Sequence, residues 1–202
     1  MKTVTVNIAD TSMLKTVSVS EESGSFSLTG ADVSADYILS LGKASADISG
    51  LSTTSVLSVS SSAGASMKIS DCRAKEFSLS GGGGNFSLSG ISADRADFSL
   101  KSGEIVGENV TFTELSSSSE NASLDLRSLD VSKASVNSVS GQVALRLSSD
   151  LTDFAVELAA KNASVFLNDV HYSSSYSIPN ESAEKSITVN TDTASILLNA
   201  AK

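Results

Sequence analysis

Apolar and polar residues alternate along most of this chain, and the polar member is usually Ser or Thr. Val17-Ser18-Val19, Phe26-Ser27-Leu28, Leu57-Ser58-Val59 and Phe77-Ser78-Leu79 all have period two, which sends one set of side chains to a buried face and the other to water. Helical spacing at i, i+3, i+4 and i+7 is not sustained anywhere. The pattern predicts short β-strands and an all-β fold.

The strands belong to a repeat. Phe-Ser-Leu recurs unevenly, at Phe26, Phe77, Phe86 and Phe98. Aligning Gly24-Ser25-Phe26-Ser27-Leu28-Thr29-Gly30 with Ser45-Ala46-Asp47-Ile48-Ser49-Gly50, Ser66-Met67-Lys68-Ile69-Ser70 and Asn85-Phe86-Ser87-Leu88-Ser89-Gly90 puts Phe26, Ala46, Met67 and Phe86 at one equivalent position, 20, 21 and 19 residues apart. The series continues through Ile105, Leu124, Val143 and Ala163. A second apolar pair precedes each turn: Val17 and Val19, Leu39 and Leu41, Leu57 and Val59, Phe77 and Leu79, Phe98 and Leu100, Val136 and Val139, Val156 and Leu158. A third short stretch follows at Val33-Ser34-Ala35, Ile91-Ser92-Ala93 and Val131-Ser132-Lys133-Ala134.

A strand of three or four residues cannot bury its apolar face alone. Coiling successive units so that equivalent residues stack every ~4.8 Å encloses a continuous core. The sequence therefore predicts a single-domain β-solenoid over residues 1–202, with rungs of about 20 residues and three short strands per rung. About nine coils would give a rod roughly 40 Å long, and the crossover rule favours a right-handed coil. Residues 1–15 read as an N-terminal cap over the open strand edge and 16–170 as the repeats. In 171–202, a surface loop from His171 to Lys185 precedes a closing hairpin or final coil through Ile187-Thr188-Val189 and Ile196-Leu197-Leu198.

Composition supplies a reason for the repeat chemistry. Of 202 residues, 45 are Ser, a side chain small enough to stack coil on coil at outward positions while its hydroxyl stays solvated. Gly24, Gly64, Gly103 and the run Gly81 to Gly84 read as corners that need positive φ. The net charge of -9 opposes binding to nucleic acid. No apolar run exceeds three residues, so the chain carries neither a signal-peptide core nor a membrane-spanning helix, and no membrane insertion is expected. Cys72 is the only cysteine, which excludes an internal disulfide and a thiolate-rich metal site.

The arrangement Val17-Ser18-Val19, Ser23-Gly24, Phe26-Ser27-Leu28, Gly30, Val33-Ser34-Ala35-Asp36 resembles a bacterial family named as adhesins, the domain of unknown function DUF4097. The ending Ile187-Thr188-Val189-Asn190-Thr191 leading to Ile196-Leu197-Leu198 is similar to that family's closing strands, with Ala194-Ser195 where Ser-Gly is expected. The resemblance implies a coiled sheet, an extracytoplasmic or cell-envelope setting and a role as a surface or scaffold module. It carries over no catalytic residue.

Candidate chemistry is sparse. Asp94 and Asp97 with Arg95, and Asp71 with Arg73, are the acid clusters that a stacked coil could bring to glycosidase spacing; each reads first as an exposed ion pair at a corner. Asn190-Thr191-Asp192 lacks the accompanying acids and His-Gly of pectin-degrading helices. His171 reads as a solvated loop residue, and Gly81 to Gly84 as a corner without the helix and Lys of a phosphate loop. The sequons at Asn109, Asn121, Asn162 and Asn180 are what a Ser-rich chain yields by accident. The pairs Thr3 with Thr5 and Thr111 with Thr113 do not recur as an ice-binding face would require. No catalytic, metal or cofactor site is assigned. The expectation is a noncatalytic envelope or surface module, an adhesin or scaffold for a protein or glycan partner. The alternatives are a carbohydrate-active β-helix enzyme and an intracellular scaffold in envelope-stress regulation.

Overall fold

The computed structural model describes residues 14–32, 34–62 and 64–201. The expected cap at 1–15 lies outside them except for Leu14 and Lys15, as do Val33 and the Thr3 and Thr5 pair. The described residues hold strands β1 (Thr16–Glu21), β2 (Ser25–Asp32), β3 (Asp36–Leu41), β4 (Ser45–Ser52), β5 (Val56–Ser61), β6 (Ala65–Ser70), β7 (Arg73–Gly81) and β8 (Gly84–Ser89). They continue with β9 (Ser92–Ser140), β10 (Gln142–Leu147), β11 (Phe154–Ala160), β12 (Val165–Leu167), β13 (Val170–Tyr172), β14 (Ser175–Ile178), β15 (Lys185–Thr191) and β16 (Ser195–Asn199). All belong to one wound sheet.

The chain is an all-β solenoid with rungs of about 20 residues, about six turns following one another in chain order. Phe26 faces Ala46, Ala46 faces Met67, Met67 faces Phe86 and Phe86 faces Ile105 in parallel register, the column that the alignment predicts. Leu124 faces Val143 further along. A second inner column runs Val17, Tyr37, Leu57, Phe77, Ala96, and beside it Val19, Leu39, Val59, Leu79, Phe98. The predicted pairs Leu39 with Leu41 and Phe98 with Leu100 are thus two residues late; Tyr37 with Leu39 and Ala96 with Phe98 take those places. In the later coil Ala134 and Val136 face inward, and Val139 is exposed instead. The core accepts Ala in these columns because the large neighbours Phe77, Phe98 and Phe112 fill the space, meeting edge to face at 5.9 Å between ring centres.

β9 runs 49 residues because ladder bonds persist round its corners. One corner turns through left-handed residues once per coil: Gly30, Gly50, Asp71, Gly90, Asn109 and Ser128, with φ between 50° and 65°. Asp and Asn tolerate this region through local hydrogen bonding. At the opposite corner Gly103 has φ +101°, and a Cβ there would collide with the carbonyl of Gly84 on the preceding coil. Buried Ala44, Ala65, Ala122 and Ala194 also stand at corners, with ordinary negative φ.

The coil order changes beyond residue 147. β15 lies between β9 and β11: Ile187 faces Ala134 on one side and Val156 on the other. β16 likewise lies between β10 and β12, so Ile196 separates Val143 from Val165. The coil at 185–199 is therefore intercalated between those at 133–147 and 154–167. It is neither a closing hairpin nor outermost in the stack, and the column position given to Ala163 belongs to Val165. The stretch expected as a loop from His171 includes β13 and β14, which pair antiparallel with β12 and β11 at that end of the sheet. Tyr172, Tyr176 and Ile178 pack on the core from this cover, the two tyrosine rings 4.3 Å apart.

Candidate functional site

Outward positions form columns as regular as the inner ones. Ser20 faces Ser40, Ser40 faces Ser60, Ser60 faces Ser80 and Ser80 faces Ser99, a single file of hydroxyls across five coils of the β1, β3, β5, β7 and β9 face. Side-chain bonds link coils within this face: Ser60 Oγ donates to Ser40 Oγ at 3.3 Å, and Ser78 Oγ to Ser58 Oγ at 2.8 Å. Other faces repeat the device, with Ser119 donating to Ser138 at 2.9 Å and Ser140 to Asn121 at 3.0 Å. Each hydroxyl can donate once and accept twice, so coil-to-coil bonding leaves capacity for an outside partner.

The strongest charged cluster lies elsewhere. Asp125 accepts from Arg127 on its own coil, at 2.8 Å from Nη2 and 3.1 Å from Nε, and also from Arg146 one coil on. Its side chain is 19% exposed against 55% for Arg127. The Asp125 carboxylate, with Glu108 and Glu104 nearby, holds the Arg127 guanidinium above its ordinary value. Sequence reading missed this trio, although Asp125 and Arg127 at outward strand positions and an Arg one coil later are its signature.

The sequence-derived candidates are dispersed. Asp94, Arg95 and Asp97 are exposed on β9, where Arg95 and Asp97 make an ion pair of 3.4 Å with both side chains more than half exposed. Asp71 and Arg73 flank buried Cys72, Asp71 in the left-handed corner. Burial pushes the Cys72 thiol up, and its Sγ donates to the Ser70 carbonyl at 3.2 Å. Thr191 turns inward and donates to the Ala194 carbonyl at 2.6 Å, whereas Asp192 reaches Lys161 at 3.6 Å.

His171 stands on β13 rather than in a loop. Its Nε2 is 3.1 Å from Ser164 Oγ and its ring lies 5.0 Å from that of Phe166, its cross-strand neighbour. The Ser164 hydroxyl and the Phe166 ring together position this imidazole. At the Gly81 to Gly84 corner the missing side chains make room for adjacent coils: a Cβ on Gly81 would lie 2.5 Å from Ser61 Oγ, and one on Gly83 2.5 Å from Ser102 Oγ. Asn109 occupies the left-handed corner, and Asn180 braces a turn by donating to the Thr152 carbonyl at 3.1 Å. Thr111 and Thr113 stand exposed on either side of buried Phe112. Under Ser117 to Ser119 is a water-sized hollow, and among the described residues no group of His, Cys, Asp or Glu is arranged to hold a metal ion.

This coil geometry agrees with one family description, Toastrack DUF4097, whose model matches residues 1–198. The chain belongs to that family. No curated protein and no solved structure matches it. In this Toastrack chain the serine file runs unbroken across five coils.

Proposed function

We propose that this Toastrack protein is a noncatalytic module of the bacterial cell envelope or surface, a rod that presents a hydroxyl-covered face to a protein or glycan partner and so acts in adhesion or as an interaction scaffold. The observation that carries this reading is the file Ser20, Ser40, Ser60, Ser80 and Ser99. It offers donors and acceptors at the repeat of the sheet, about 4.8 Å, on strands laddered coil to coil. A polymer with repeating hydroxyl or amide groups can meet several such positions at once with little ordering of the protein. Net charge of -9 turns the preference away from phosphate-rich partners.

The test is a panel of glycans and envelope proteins against the wild-type chain and Ser60→Arg, with cell fractionation of the native protein. The expected result is saturable binding weakened about tenfold by the substitution, which places a long cation in the file, and recovery from the envelope fraction. Absence of saturable binding to the whole panel would remove the adhesion reading. Turnover of a polysaccharide, abolished by Asp94→Asn or Asp97→Asn, would replace it with the enzyme reading.

A further inference from the structure

The intercalated coil has two full interfaces. β15 is laddered to β11 from Lys185 through Thr191 and to β9 from Ser186 through Thr191, while β16 is laddered to β10 and β12. Ile187, Val189, Ile196 and Leu198 are fully buried. Nevertheless the segment on either side of it in space, 133–167, is continuous in sequence and precedes it. The inner residues Val156, Leu158 and Val165 belong to the same columns as Ala134, Val136 and Val143. With 185–199 withdrawn, the 154–167 coil has the pattern to stack directly on 133–147, the order that chain sequence alone predicts.

The tether is the exposed or half-exposed stretch 179–184. Its fixed points are local: Asn180 donates to Thr152, Ser182 Oγ donates to Asn180 Oδ1 at 2.9 Å, and the Ala183 amide donates to the Asn180 carbonyl at 3.1 Å. The Asn180 bond reaches the segment just before β11, and the other two lie within the tether.

From this topology we propose that the slot between the 133–147 and 154–167 coils accepts the 185–199 coil of a second copy of the chain, so that two molecules exchange these coils reciprocally about the 179–184 tether. Every ladder and every buried side chain of the coil is then reproduced between molecules, and only the tether changes course. Within one molecule the coil competes at an effective concentration on the order of mM for a short linker. Exchange consequently grows with protein concentration during folding. The inference is independent of any binding by the serine face.

The experiment introduces Ser135→Cys with Thr188→Cys, directly opposed outward positions of β9 and β15, a parallel-ladder spacing compatible with a disulfide. The full chain is unfolded under reducing conditions, refolded at about 5 µM and about 500 µM, oxidised, and separated by size with and without denaturant. The expected result is an internally linked monomer at the lower concentration and a covalent dimer, resistant to denaturant until reduced, whose share rises at least about tenfold at the higher. A dimer share that does not rise overturns the proposal, as does a dimer that denaturant separates into internally linked monomers. Should that pair prevent folding, Asn137→Cys with Asn190→Cys reads the same register. Deleting residues 181–183 provides a second measurement: the shortened tether strains the return across β11, so the dimer share at the lower concentration should exceed that of the full tether, and an unchanged share overturns the exchange.

Discussion

Val143 lies beside Ile196, and Val165 lies beyond Ile196 rather than against Val143. A residue late in the chain is thereby packed on both sides by earlier coils and is fully buried. Ile196→Ala should lower unfolding free energy by about 3 kcal/mol, transfer and cavity costs together. Ile178→Ala, on the partly buried cover strand, should cost about 1 kcal/mol. Guanidinium unfolding of the two variants compares them; equal losses would contradict an interior place for the last coil.

The corner glycines divide by what surrounds them. Gly103→Ala meets both positive φ and the Gly84 carbonyl, so about 3 kcal/mol of destabilisation is expected from strain and crowding. Gly64 also has positive φ, +86°, but open space where its Cβ would stand. Gly64→Ala should cost about 1 kcal/mol. Urea midpoints, with unchanged slopes, give the ratio directly.

Asp125 is shared by Arg127 and Arg146, whereas among the described residues Asp97 pairs with the exposed Arg95. Asp125→Ala leaves two guanidiniums facing each other without their acceptor and should reduce Tm by roughly 2–4 °C. Asp97→Ala should leave Tm within about 1 °C. Added salt should narrow the Asp125→Ala deficit by screening the stranded charges.

Alkali should weaken the covered end of the rod first. Burial, with Tyr176 adding to it, raises the Tyr172 phenol above its ordinary value of 10.0, so its neutral form is favoured in the folded state. A raised value means that the associated stability is complete below pH 10 and is lost as pH climbs through the folded value. Tyr172→Phe should flatten the stability profile above pH 10. Cys72 shifts in the same direction from 9.0, again chiefly by burial. Its reaction with a thiol reagent should follow unfolding rather than thiol ionisation, which kinetics at several denaturant concentrations will separate.

The rung length and the Phe26 to Val143 column are legible because a large apolar residue follows a turn residue once per coil. Where that contrast fades the column slips by two residues without changing face, and only Val139 falls on the wrong one. Tyr37-Ile38-Leu39 is apolar throughout, yet Ile38 points out and is 43% exposed; Ala96 and Ala134 hold column positions that the pattern assigns to larger residues. In 171–185 the serines concealed Ser175-Tyr176-Ser177-Ile178, which has the period of a strand. Coil order beyond residue 147 was not legible, since the coils at 154–167 and 185–199 both fit the columns of 133–147. Local pattern determines which face is buried, while stacking order depends on long-range ladder energy. Among charged groups, the acids close in sequence to Arg95 and Arg73 drew notice, but the shared contact at Asp125 required knowing that Arg146 stands on the adjoining coil.

Intercalation also sets a timetable for biosynthesis. Residues 185–199 leave the ribosome after the two coils that flank them, so the far part of the rod stays unsealed until translation has passed that point. A late stop codon or a nick in the 179–184 tether would remove an interior layer, not trim an end. Quality control of this chain would therefore face a lesion in the middle of its stack from damage at residues that follow both flanking coils in sequence.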